Sequence, residues 1–549
     1  MRQTMRERWR RRAAQVVTVG ASLGALSACD SLLEVDLPHL LTDAAIEGAG
    51  SAEAQVYSAI ALFECGYSTF GNTALGHEDA MESIAGVFGG GHIYDATPNG
   101  GLCGDASTDQ SWFDQIIGAR ALLATQPARL VPTATGTVTS DFPVGRGVYD
   151  RIQDEFSLGQ SGERLSAIAA TYVAMSLGHM GEFLCEAAID GSELLTPPEV
   201  LDLAETWATM ALGHVTNFGD FAMPFGIAPS ARDMATAVRA RIRWANGDLA
   251  GADADAAAVL AADADFAAFV TREGGDTRRN HIYHNATEIG FSGMLGVNTW
   301  WNPASRRPNP TTGTAWPDPI PFTGYIFLAV MPDGRTLEAG NIPVRWAEEQ
   351  RDVNEDPVSL GNTAVPDTRV SHIYKEINGP GKHELPDRYT GLPDDIPYMT
   401  WEELVLIQAD YQLSLGAAAN LQNAIDLVNT LRTDKSLPVI SGVYLTTLTD
   451  GANDAAEVRA MLLEERRREF FAEGARYWST KIQNTDLLWF PRGEGRSPFR
   501  SYNLDGGVRQ TFHSDEYDVN PHWVAAGGLD LRGTGCDDEL AGSQQPYIN

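Results

Sequence analysis

The sequence predicts a mainly α fold: tetratricopeptide-like helix hairpins form a scaffold, and a loop-rich, partly β lobe is mounted on it. Three observations carry this. Apolar residues recur every three or four positions through long stretches of the chain. Two of those stretches read as helix, glycine break and second helix of similar length, around Gly247 and Gly416. Between about Gly274 and Ile396 proline, glycine and aromatics replace the helical pattern. At 549 residues the chain is long enough to bury a substantial core.

The first element is not part of that core. Arg2, Arg6, Arg8, Arg10, Arg11 and Arg12 make a basic start, followed by a small-residue apolar run from Ala13 to Ala28. That run is shorter than the roughly 20 apolar residues a membrane span needs. Leu26-Ser27-Ala28-Cys29 resembles the lipobox of bacterial lipoproteins, which implies cleavage before Cys29 and acylation of its thiol. Residues 1–28 are thus expected to be a lipoprotein signal peptide, 29–45 a lipid-anchored tether, and 46–549 a single domain. Several acyl chains anchor durably, since each buried methylene contributes about 0.8 kcal/mol.

Within that domain the scaffold is expected over about 46–270 and 397–486. Val56, Ala59, Ile60 and Phe63 mark the first helix, with Ser51 as its cap. Leu165, Ile168, Ala169, Tyr172, Ser176 and Met180 mark the second. Thr196 and Glu199 frame a capping box with Pro197 and Pro198 in the first turn, and Val200, Leu203, Ala204, Trp207 and Ala211 continue that helix. Each is read as having one buried face. Around Gly247 one arm carries Met234, Ala237, Val238, Ile242 and Ala245, and the other runs from Leu249 to about Phe269. Around Gly416 the first arm opens at Thr400 with Glu403 and carries Leu404, Ile407, Tyr411 and Leu415; the second carries Leu421, Ala424, Ile425, Val428 and Leu431. Such hairpins stack on neighbours because neither buries its apolar face alone.

The lobe, about 271–396, contains Trp300-Trp301-Asn302-Pro303 and Trp316-Pro317-Asp318-Pro319. Aromatic faces beside polar groups suit an oligosaccharide, whose units present apolar faces and hydroxyls. Trp300, Trp301, Asn302, Trp316 and Tyr325 are therefore the candidate ligand residues, the competing reading being that these rings staple irregular backbone. The last segment, 487–549, is expected to wrap the surface. Besides Cys29 there are Cys65, Cys103, Cys185 and Cys536, which in an oxidising compartment allow two disulfides in three connectivities. Cys65 with Cys185, leaving Cys103 with Cys536, is the expected pairing.

A formal charge of −33 excludes a phosphate-binding footprint, so no nucleic-acid partner is expected. The one Gly-x-Ser-x-Gly string, Gly20 to Gly24, lies inside the signal segment and lacks a strand-to-helix elbow. No Walker loop, HExxH or dinucleotide fingerprint occurs, and no cofactor is expected. His77-Glu78-Asp79 reads as helix-end residues rather than metal ligands. Asp253, Asp255, Asp263 and Asp265 lack the glycine and terminal glutamate of a calcium loop and read as a solvated helix edge. No local signal selects a glycosidase carboxylate pair.

The string from Glu464 to Trp478 is expected on a helix opened by Asp454 with Glu457, with Glu465, Glu469 and Glu473 in an i,i+4 row paired to arginines, and Met461, Leu462 and Phe470 on the buried side. As a string it resembles the C-terminal signature of the SusD/RagB family. Leu33-Glu34-Val35-Asp36 is similar to that family's mature N-terminus. Pro397 to Glu403 with Ala409 resembles its tetratricopeptide-like entry helix, and Ala424 to Arg432 the helix after it. Ser479-Thr480-Lys481 departs from the pattern, and its C-terminal proline motif survives only as Glu516 to Pro521. The resemblance implies a SusD-like, lipid-anchored binding protein, not an enzyme, on the outer face of the outer membrane. It also implies capture of a nutrient, such as a glycan, for a TonB-dependent, SusC-like transporter. Two other readings remain: an exported glycan hydrolase with a helical toroid, against which Pro303 to Pro321 argue, and a scaffold that binds only protein.

Overall fold

The structure is a computed structural model. It describes residues 48–78, 81–83, 143–189, 192–275, 278–283, 295–297, 369, 372–376, 382–386, 388–437, 439–441, 445–446, 448–451, 454–484, 509, 517–518, 520–531 and 534–535. The chain divides into two units, residues 1–51 and 52–549. In the first, the described part is a turn ending in the 3-10 segment Ala49–Ser51, where Ser51 Oγ donates to Gly48 O at 2.8 Å.

The second unit is mainly helical. Helix α1 covers Ala52–His77, and Val56, Ala59, Ile60 and Phe63 are buried as their spacing requires. Helix α2 is Arg146–Asp154 and α3 is Gln160–Phe183. The sequence suggested one buried face for α3, yet it is enclosed almost all round, because α1, α4 (Pro197–Phe218) and α5 (Ala231–Ala245) each pack against it. Small residues make that possible. A Cβ on Gly181 would lie 2.6 Å from Leu201 Cγ, and one on Gly178 3.3 Å from Ile242 Cγ1. The capping box opening α4 forms, Glu199 Oε2 accepting from Thr196 N–H at 2.8 Å.

Both glycine-centred hairpins are present. Helix α5 is capped by Ser230, whose Oγ accepts from Asp233 N–H at 2.9 Å, and turns at Gly247 with φ +83 into α6, Leu249–Ala262. The second arm stops there instead of reaching Phe269, because Ala267–Val270 is taken into a strand. Helices α7 (Trp401–Leu415) and α8 (Ala418–Asp434) form the other pair across Gly416, φ +69. Helix α7 opens at Thr400 as its sequence suggests, but the Thr400 side chain makes no cap bond: Thr400 Oγ1 and the Glu403 carboxylate both accept from Arg476, at 3.0 and 2.9 Å.

The signature string is not one helix. Helix α9 runs Asp454–Glu469, the chain turns through Ala472 (φ 60) and Gly474 (φ 98), and α10 covers Arg476–Gln483. Glu473 therefore leaves the row formed by Glu465 and Glu469. Helix α11, Pro521–Ala526, is capped by Asn520 and buries Trp523.

Among the described residues, six strands form three two-stranded antiparallel sheets: β1 (Met81–Ser83) with β3 (Leu295–Val297), β2 (Ala267–Val270) with β6 (Ile396–Thr400), and β4 (His372–Glu376) with β5 (Lys382–Pro386). The β2/β6 pair positions the lobe. Ala267 faces Thr400 and Val270 faces Ile396, with an irregularity between Ala268 and Phe269, so the chain leaves and re-enters the scaffold at one place.

Candidate functional site

The exit and return of the lobe are held by a buried polar knot. Glu64 on α1 accepts from Thr271 N–H and Oγ1, both at 2.9 Å, and from Arg272 Nη2 at 3.4 Å. Burial pushes its carboxyl up, against the Thr271 amide and the Arg272 charge. On the returning strand side, Asp395 Oδ1 accepts from Arg272 N–H at 2.6 Å, and Asn280 N–H donates to Leu392 O at 2.7 Å. A buried carboxylate is costly unless paired, so Glu64 fixes the first turn after β2 against α1.

Beneath this lies a second network. Glu465 on α9 accepts from Arg369 Nη1 at 2.7 Å and Arg432 Nη1 at 2.8 Å. Glu464 holds Arg467 and Arg468 at 3.0 and 2.7 Å, and Arg476 pairs with Glu403 and Glu473. These groups were expected on a helix face; they are buried, and their partners come from the lobe (Arg369), α7 and α8 as well as α9. Asp255, expected at a solvated edge, is likewise buried, bound by Arg239 at 2.7 and 2.8 Å and by Arg243 at 3.0 Å. Glu78 ends α1 as a buried acceptor for the Tyr477 and Trp478 N–H groups, at 2.9 and 3.0 Å.

An open cleft of about 230 Å³ lies where α5, α6, α7, α9 and α10 meet. Asp410 Oδ2 accepts from Trp244 Nε1 at 2.7 Å and Arg466 Nη2 at 2.6 Å, and the Arg466 guanidinium covers the Trp244 ring at 4.6 Å. Arg459 donates to Asn484 Oδ1 at 3.1 and 2.7 Å, and Leu413 and Leu462 supply apolar wall. Asp410 is the sole carboxylate of the lining among the described residues, whereas glycoside hydrolysis uses two at about 5 to 10 Å. Sequence reasoning missed the cleft because its residues come from five elements and share no spacing.

The expected ligand residues Trp300, Trp301, Asn302, Trp316 and Tyr325 lie outside the described residues, as do the lipidation residue Cys29 and Cys103 and Cys536. Cys65 and Cys185 are both buried and disulfide-bonded. Among the described residues no group of three or more side chains suits a metal ion, and no helix is long and apolar enough to cross a membrane.

No family model matches the chain. A curated SusD-like protein from Formosa agariphila is 24% identical over 180 residues; the match spans 31% of this chain and 29% of that relative. Among solved structures, a SusD homologue from Bacteroides thetaiotaomicron has a TM-score of 0.47 at 10% identity, covering 88% of this chain and 94% of that one. A SusD-like carbohydrate-binding protein from Bacteroides vulgatus has a TM-score of 0.46 at 12% identity, covering 82% and 86%. The fold is a scaffold of helix hairpins with an inserted lobe. The string around α9 and α10 and the curated match both make the chain similar to SusD-like proteins, the match spanning less than a third of either chain.

Proposed function

We propose that this protein is a cell-surface lipoprotein that captures an oligosaccharide and delivers it to a TonB-dependent transporter of the outer membrane. The observation that carries this reading is the lobe's attachment: residues 271–395 leave and return through the β2/β6 stem, locked to α1 by Glu64. Binding residues concentrate on loops held by a rigid scaffold, and this stem provides one. Trp300, Trp301, Asn302, Trp316 and Tyr325 would supply stacking faces and hydrogen bonds to the sugar. Acylated Cys29 would hold the domain at the outer surface, and the helix hairpins would offer the transporter a wide, preformed contact surface. Cys65 pairing with Cys185, and Cys103 with Cys536, belongs to the same reading of an exported chain and is read out by mass mapping of non-reduced peptides.

The experiment is twofold. The protein is purified from native membranes with its complexes intact, where recovery without any barrel protein overturns delivery. Binding of an oligosaccharide panel is measured calorimetrically for wild type and for Trp300→Ala and Trp316→Ala. A loss of about tenfold in affinity, roughly 1.4 kcal/mol, is expected at each; unchanged affinity at both overturns the assignment of the lobe.

A further inference from the structure

The turn Pro224–Gly226 contains a conformation that its sequence does not favour. Phe225 has φ 60 and ψ 12, Gly226 has φ 76, and Ile227 N–H donates to Pro224 O at 3.2 Å. Two consecutive positive φ values across a four-residue closure are type I′ geometry, where asparagine, aspartate and glycine are preferred. A phenylalanine there is strained and gains no local side-chain hydrogen bond. Burial does not offset the strain, because Phe225 is 53% exposed.

The strained ring instead belongs to a surface strip. It stands edge-on to Tyr57, centroids 4.9 Å apart at 67°. Tyr57 OH donates to Glu53 Oε1 at 2.6 Å, and Arg164 Nη1 donates to the same oxygen at 3.3 Å. Beyond the ion pair, the Arg164 guanidinium lies 5.4 Å over Phe221, which packs edge-on against Phe218 at 5.5 Å. Two aromatic pairs, of which Phe225 is exposed and Tyr57, Phe218 and Phe221 are half-buried, thus flank an exposed carboxylate and a half-buried guanidinium. Both of these bonds to Glu53 use Oε1, which leaves Oε2 to accept, and Arg164 keeps N–H groups to donate.

We propose that this strip, contributed by α1, α3 and the end of α4 with the turn after it, is a second saccharide platform on the scaffold, separate from the lobe. Flat apolar rings beside a carboxylate and a guanidinium match the alternating C–H faces and hydroxyls of neighbouring sugar units. The strained turn holds the Phe225 ring out where a chain passing over the surface meets it. This inference rests on the glycan reading above and extends it to a surface that keeps a long polymer in place while the lobe engages one part of it.

The test uses the full mature protein in affinity electrophoresis through gels containing barley β-glucan, amylopectin, xylan or galactomannan. Phe225→Gly suits the turn, so it is expected to melt at or above the wild-type temperature while its retardation constant weakens at least threefold. Arg164→Ala is expected to weaken it in the same gel. If wild type is retarded and both variants migrate as wild type does, the platform is overturned and the lobe reading stands. If wild type is retarded in none of the four gels and binds no oligosaccharide, the glycan reading falls and the platform with it.

Discussion

At the scale of single residues, burial sets charge states that decide stability. Burial pushes the Glu78 carboxyl well above its usual range, despite the Trp478 and Tyr477 N–H groups that favour its ionised form. A raised folded-state pKa means the stabilisation is complete below about pH 4.5 and is lost as pH rises toward the folded value, by about 1.4 kcal/mol per pH unit. Glu78→Gln keeps an acceptor for both N–H groups without that loss. Its melting-temperature advantage over wild type is expected to grow between pH 4.5 and 7, and a constant difference would refute the assignment. His179 shows the opposite sign. It lies among Phe63, Tyr67, Phe70, Phe183 and Tyr398, with neither ring nitrogen bonded among the described residues. Burial, and then the Arg241 charge, pull its pKa well below 6.5. Stability is therefore lost as pH falls below about 6.5, and His179→Leu is expected to flatten urea midpoints between pH 6.5 and 5 relative to wild type.

At the scale of elements, α3 is the part whose packing the sequence understates. Its apolar spacing identified the helix, but Gly178 and Gly181 look in sequence like weak points in a helix. Gly181→Ala would gain about 1 kcal/mol of helix propensity, while the new methyl would meet Leu201 at 2.6 Å. Overpacking a buried contact costs about 1 to 3 kcal/mol. A net loss of about 1 kcal/mol in chemical denaturation is expected, and a gain would mean that α4 moves away freely. The two hairpins were legible because glycine at a helix end permits a positive φ, as Gly247 and Gly416 show. Where α6 ends was not legible: pairing of Ala267–Val270 with Ile396–Thr400 joins residues over a hundred positions apart.

At the scale of the whole molecule, the charged signature is an internal lock. Burial alone would raise the Glu465 pKa, but Arg369, Arg432 and Arg468 hold it below its usual value. Removing that charge strands buried guanidinium groups, which costs about 3 to 5 kcal/mol, a large share of the roughly 5 to 15 kcal/mol typical of a folded domain. Glu465→Gln is expected to lower the urea midpoint steeply, whereas Glu465→Leu with Arg369→Met and Arg432→Met should recover much of it; equal losses in both would show that the charges are not the cause.

Residue order alone carries the mainly helical class, both glycine-centred hairpin turns and the capping box at Thr196, since periodicity and turn chemistry act between near neighbours. Tertiary structure alone decided that the arginines and glutamates of α9 point inward, that Glu64 ties down the stem of the lobe, and that Phe225 sits exposed in a turn suited to glycine. Those outcomes depend on which distant group meets each charge or ring, and local residue order does not encode that meeting.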